Sequence, residues 1–256
     1  MPAQKVLDPS ASWRVPENLC AFGIMTKLPE AGKVKTRLTP PLTPEEAAEL
    51  NRCFLRDLGN SISLAGTEMS ARGGGVYTPA VAAAAYEAIL PSGFFLIPQR
   101  GNDFGERLVF AMEDLFKVGF ESVCLINSDS PTVPAASFAE AAAVLARPGD
   151  RVVLGPAGDG GYYLIGLKQL HRRLFTDIDW STERVFEQTM ARANEIGVAV
   201  HQLPSGYDVD DGATLQRLCQ ELLGPHEIAI DVAPNTRSFL AGIVRREGRD
   251  RIWPAL

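Results

Sequence analysis

Short apolar runs alternate with segments of helical period along most of this chain, and few folds accept such an order. Leu19–Met25, Val76–Thr78, Phe94–Pro98, Val123–Ile126, Arg151–Leu154, Tyr162–Leu167 and Val198–Leu203 read as strands. Helical signals separate them. Thr43-Pro44-Glu45-Glu46 forms a capping box ahead of Ala47, Leu50, Phe54 and Leu58, which recur at three- and four-residue steps. An alanine-rich helix is expected around 80–89. Asp103-Phe104-Gly105-Glu106 gives a second capping box, with Phe104, Leu108, Ala111 and Leu115 on one face. Further helices are expected at 135–146, 182–195 and 211–223. Nearly continuous apolar strands joined by helices predict a three-layer α/β/α fold around a mostly parallel sheet covered on both faces.

With 256 residues, 46% of them hydrophobic and 22% charged, the chain can bury one large core. No repeat or low-complexity linker divides it. The reading is a leader over residues 1–18, one domain over 19–223, and a C-terminal extension over 224–256 that shows no clear period. The leader has no signal-peptide core, and no apolar run is long enough to cross a membrane. Cys20, Cys53, Cys124 and Cys219 form no paired spacing that suggests zinc or a disulfide framework, and Cys20 and Cys124 lie in apolar runs, so buried free thiols in a reducing cytoplasm are expected. A net charge of −6 argues against nucleic acid as a partner, because a phosphate backbone needs a basic face.

In open parallel sheets, ligands bind beyond the carboxyl ends of the strands. Three loops there are unusual. The first runs from Lys27 through Gly32, Lys33 and Lys35 to Arg37, bringing four cations together on an acidic chain. Gly32 permits close backbone approach, and the cations can neutralise a diphosphate; a solvated basic loop explains the same composition. The loop matches neither the Walker A nor the dinucleotide glycine pattern. The second is Asn127-Ser128-Asp129-Ser130-Pro131, where Asp129 is placed to hold Mg²⁺ or Mn²⁺, or else to start a turn. The third is Gly155-Pro-Ala-Gly-Asp159-Gly160-Gly161-Tyr162, in which Gly160 and Gly161 suit a backbone pressed against a ligand and Asp-Gly suits a hairpin.

Nearer the end, Asp208 and Asp210 point the same way if extended and can complete a metal site with Asp129, while Asp210 or Asp211 can cap the next helix. His171, His201 and His226 show no zinc or triad spacing. The stretch Phe175–Thr182 mixes aromatic and polar groups ahead of a helix and is read first as a staple and caps, second as a substrate-facing segment.

Taken in order, Lys27–Arg37, Gly101–Arg107, Asn127–Pro131, Gly155–Gly166, Asp179–Thr182 and Asp208–Asp210 resemble the bacterial radical-SAM/selenodomain-associated transferases, a branch of the nucleotide-diphospho-sugar transferases. The match covers roughly residues 19–223. It departs at Asn127, where that family usually has Gly, and in the tail. The chain also looks like guanylyltransferases that activate phospholactate-type acids. The resemblance implies a fold of the A-type glycosyltransferase kind and a nucleotide or nucleotide-sugar ligand.

The expected function is therefore transfer from a nucleotide-sugar to an unknown small acceptor. Lys27, Gly32, Lys35, Arg37, Arg107, Gly160 and Gly161 would hold the nucleotide, with Asp129, Asp208 and Asp210 on a divalent metal. Asp159 would serve as the general base. Nucleotidyl transfer releasing pyrophosphate is the alternative, and a non-catalytic nucleotide-binding module is the third reading. The partners are small molecules, with neither membrane nor nucleic acid; a homo-oligomer is compatible.

Overall fold

A computed structural model describes residues 5–11, 15–16, 18–68, 70–225, 229 and 231–253. His226 and parts of the leader and extension lie outside these. Strands are β1 Lys5–Val6, β2 Cys20–Lys27, β3 Ala71–Thr78, β4 Phe95–Pro98, β5 Ser122–Ile126, β6 Arg151–Pro156, β7 Tyr162–Leu167 and β8 Ala199–Gln202. Helices are α1 Pro44–Glu68, α2 Phe104–Lys117, α3 Ala135–Ala146, α4 Val185–Glu195, α5 Gly212–Leu223 and α6 Pro234–Glu247.

The eight strands form one sheet in the order β1-β4-β3-β2-β5-β7-β6-β8. Only β7 runs antiparallel to its neighbours, β5 and β6. From β2 the chain builds outward through β3 and β4 on one side, and β5 pairs on the other. That reversal opens a crevice beyond the carboxyl ends of β2 and β5, where a doubly wound sheet takes its ligand.

Alternation along β2 explains the two-sided core. Phe22 and Ile24 join Leu55, Leu58 and Ile62 of α1 and Phe138 of α3 on one face. Ala21 joins Leu108, Met112 and Leu115 of α2 on the other. The opposite side of α1, with Leu50 and Phe54, packs instead on Leu215 and Leu218 of α5 and Leu240 and Ile243 of α6. Asp57, buried in α1, fixes the start of α6 by accepting from the N–H groups of Asn235 and Thr236 at 2.9 Å each, and from the Thr236 hydroxyl at 2.7 Å.

Sequence and structure agree on most elements. The Thr43–Glu46 box forms, with Glu46 N–H donating to Thr43 Oγ1 at 3.2 Å and Thr43 N–H to the Glu46 carboxylate at 2.9 Å. Three points differ. Residues 80–88 form a 3₁₀ helix rather than an α-helix, after a cis Thr78–Pro79 bond. Phe104 is 48% exposed rather than in the core. In the second box Asp103 caps Glu106 N–H, but the Glu106 side chain reaches Asn102 N–H instead of Asp103. All four cysteines are free and buried. Among the described residues, no helix is long and apolar enough to cross a membrane.

Candidate functional site

Strand β2 ends at Lys27 and releases the cationic loop onto the rim of the sheet. Lys35 adopts the left-handed region (φ 49°) and leads into a short 3₁₀ turn, Thr36–Leu38. This uncommon conformation turns the Lys35 side chain inward, where only 5% of it is exposed. Its Nζ donates to Asp210 Oδ1 and to the Val209 carbonyl, each at 2.8 Å, and lies 2.6 Å from Asp129 Oδ1. Burial opposes the charge, but Asp129 and Asp210 outweigh it and hold the ammonium above its ordinary range. Arg37 stays 73% exposed, with its guanidinium 3.4 Å from Asp210 Oδ2.

The loop after β5 is braced from within. Asn127 Nδ2 and Ser130 Oγ both donate to Asp208 Oδ1 at 2.6 Å, and Val209 N–H donates to the Asp129 carbonyl at 2.9 Å. These bonds lash residues 207–210 to residues 127–130 and bring three carboxylates together. Burial, with the negative charges of Asp129, Asp159 and Asp210, pushes the Asp208 carboxyl up to about 6 against the hydrogen bond from Ser130.

Asp159 enters from the β6–β7 hairpin, whose Asp-Gly turn closes through Ala157 and Gly161. Asp159 Oδ1 accepts from Gly161 N–H at 2.9 Å. Gly160 has φ +86°, and a Cβ there would sit 2.1 Å from the Glu183 carbonyl. The surface pressed on Gly160 is thus the protein's own backbone rather than a ligand. Gly32, with φ +73° and nothing within 4 Å of a Cβ, stands in open space.

Two cavities meet at this rim. A recess of about 260 Å³ is lined by Lys27, Lys33, Lys35 and Arg37, together with Asn51 and Ser128. A larger cleft of about 620 Å³ carries Asp159, Glu183, Asp208 and Asp211 against an apolar wall that includes Leu108, Ile165 and Trp180. Arg37, Ser128, Asp129 and Asp210 line both. The sequence-derived cations and acids therefore converge, with Lys35 and Arg37 directly on the acids. Arg107 lines neither cavity; its Nε lies 3.5 Å from the Gly101 carbonyl.

Asp129, Asp208 and Asp210 were expected to share a metal. As arranged, the oxygens of Asp129 and Asp210 serve Lys35, and Asp208 Oδ1 serves Asn127 and Ser130. Among the described residues, no group of three His, Cys, Asp or Glu is disposed to hold an ion. With Lys35 on Asp129 and Asp210, the carboxylates as arranged do not fit a divalent metal. Asp211 instead caps α5 in a box with Thr214.

Sequence reasoning missed Asn51, 97% buried on α1 yet lining the recess. Its signal is a polar residue four positions after Ala47, on the apolar face. Trp180 belongs to a stretch read mainly as a staple. In the structure it packs edge-on against Phe104, ring centroids 5.3 Å apart, and lines the larger cleft.

No curated protein matches the chain. Two solved structures resemble it only in outline. One is a CMP:2-keto-3-deoxy-manno-octonic acid synthetase with CTP (13% identity, 78% of this chain and 96% of that one, TM-score 0.49). The other is a cytidylyltransferase from Leptospira borgpetersenii (10%, 94% and 99%, TM-score 0.49). Neither bears on the chemistry at that distance. The crystal structure of a Desulfovibrio desulfuricans G20 protein, provisionally described as a nucleotide-diphospho-sugar transferase, is much more similar. It is 29% identical over 90% of this chain and 96% of its own, with a TM-score of 0.78. Residues 71–182 match the family described as an uncharacterized protein conserved in bacteria, DUF2064. The chain thus has a nucleotide-diphospho-sugar transferase-like α/β fold, and its residues 71–182 carry the pattern of that bacterial family.

Proposed function

We propose that the chain transfers a glycosyl group from a nucleotide-diphospho-sugar to a small acceptor. The observation that carries this reading is the junction of a four-cation recess with a carboxylate-rimmed cleft across Arg37, Ser128, Asp129 and Asp210. The description given to the Desulfovibrio protein supports it.

In this reading the diphosphate lies in the recess, where Lys27, Lys33 and Arg37 face its oxygens. The acceptor hydroxyl attacks the anomeric carbon from the cleft. The bond from that carbon to the diphosphate oxygen breaks, and the electron pair leaves on the nucleoside diphosphate, whose growing charge the cations stabilise. The hydroxyl proton passes to a carboxylate of the cleft, for which Asp159 is the candidate base. Lys35 is the buried cation of the arrangement; a divalent ion enters only as its competitor for Asp129 and Asp210.

A thermal-shift screen tests the reading. Nucleoside diphosphates and nucleotide-sugars should raise the melting temperature by mass action, and Arg37→Ala should weaken that shift. Turnover should release nucleoside diphosphate. Release of pyrophosphate from a nucleoside triphosphate would replace glycosyl by nucleotidyl transfer, and binding with no turnover would leave a binding module.

A further inference from the structure

The larger cleft differs sharply from the recess beside it. Six of its lining residues are acids: Asp129, Asp159, Glu183, Asp208, Asp210 and Asp211. Its one lining cation among the described residues is Arg37, already beside Asp210. Opposite the acids stands an aromatic pair. Trp180 is wedged over Gly105, where a Cβ would lie 2.6 Å from the indole Nε1, and meets Phe104 edge-on. Phe104 keeps 48% of its surface open at the start of α2. A half-open aromatic pair lining a 620 Å³ cleft presents a ring surface that the rest of the chain leaves uncovered.

We propose that this cleft takes a polyhydroxylated ring without negative charge as acceptor, laid against the Trp180–Phe104 pair, and rejects rings that carry a phosphate. The inference rests on the transfer reading above and narrows its acceptor. Aromatic faces bind the C–H side of such a ring by contact and desolvation. Carboxylates accept hydrogen bonds from ring hydroxyls, and charge assistance strengthens those bonds. The carboxylates also repel a phosphomonoester: Lys35 and Arg37 pair with Asp129 and Asp210 only, which leaves Asp159, Glu183, Asp208 and Asp211 with no ion pair to a cation lining the cleft among the described residues. Discrimination by charge therefore lies on the acceptor side, while anion binding is confined to the recess.

Three probes on one skeleton test this with the full chain, its recess first saturated with a nucleoside diphosphate: methyl glucoside, glucosamine and glucose 6-phosphate, followed by saturation-transfer NMR. The neutral and cationic rings should bind at least about tenfold more tightly than the phosphate ester, the range expected from placing like charges together. Phe104→Ala, on an exposed side chain whose loss leaves the core intact, should remove most of the ring signal, as should Trp180→Ala. Asp159→Asn with Glu183→Gln should narrow the discrimination. A preference for glucose 6-phosphate, no binding of any probe, or full binding in Phe104→Ala would overturn the proposal. A nucleoside-diphosphate thermal shift on the same sample reports the recess separately, so failure of the acceptor inference is distinct from failure of the transfer reading.

Discussion

Lys35 shows what one residue contributes when its environment is finished for it. Its ammonium is surrounded by two carboxylates and a carbonyl, on a backbone held in the left-handed region. The sequence reading puts cations and acids at the same rim, because strand ends and charge runs are visible along the chain. It does not show that the lysine sits on the acids, since that depends on the register of residues 207–210 against 127–130. Lys35→Ala should leave Asp129 and Asp210 facing each other. With both carboxylates about one-third exposed, the expected loss is about 2 kcal/mol, below the full penalty of a broken buried pair. Millimolar Mg²⁺ should restore much of the melting temperature of Lys35→Ala and change the parent protein little; equal responses in the two proteins would contradict this.

Elements were legible wherever period and caps agreed. The helix opened by Thr43 and Glu46 is one case, and α5 after Asp211 is another. The run 80–88 misled because alanine favours helix on propensity alone; its first turn follows a cis proline and closes with 3₁₀ bonds. Helix α6 was hidden for the opposite reason. It presents only a narrow apolar edge, with Thr236, Leu240 and Ile243 buried, to a groove formed by α1 and α5. The glycines of β3 lie within the strand, where the rings of Phe94 and Phe95 take the space of their side chains. A Cβ on Gly74 would lie 2.2 Å from the Phe95 ring, which is fully buried. Gly74→Ala should therefore cost about 2 kcal/mol through overpacking, read as a fall in denaturation midpoint with an unchanged slope.

At the scale of the whole molecule, Glu46 joins distant parts of the chain. It caps α1 and also pairs with Arg251 beyond α6. Burial tends to raise the Glu46 carboxyl, but the hydrogen bonds from Arg251 and Thr43 N–H and the charges of Arg251 and Arg246 prevail, so it titrates below its ordinary 4.5. A carboxyl lowered by folding stabilises the protein above its unfolded value, and that contribution disappears as pH falls through the folded one. Arg251→Ala should cost about 1 kcal/mol at neutral pH, with the gap from the parent closing below pH 4.5. Chemical denaturation at pH 7 and at acid pH checks this, and a gap that widens on acidification would contradict it.

The single reversed strand has its own effect on how such a rim can change. Because β7 is laddered on both sides, the tip that precedes it is tied to strands at each end. A slip of one residue in those ladders would exchange the faces of Tyr162 and Tyr163 and carry every later side chain of the strand with them. The ladders fix where the tip starts and ends, and Gly160, with no room for a side chain beneath the Glu183 carbonyl, fixes the path between them.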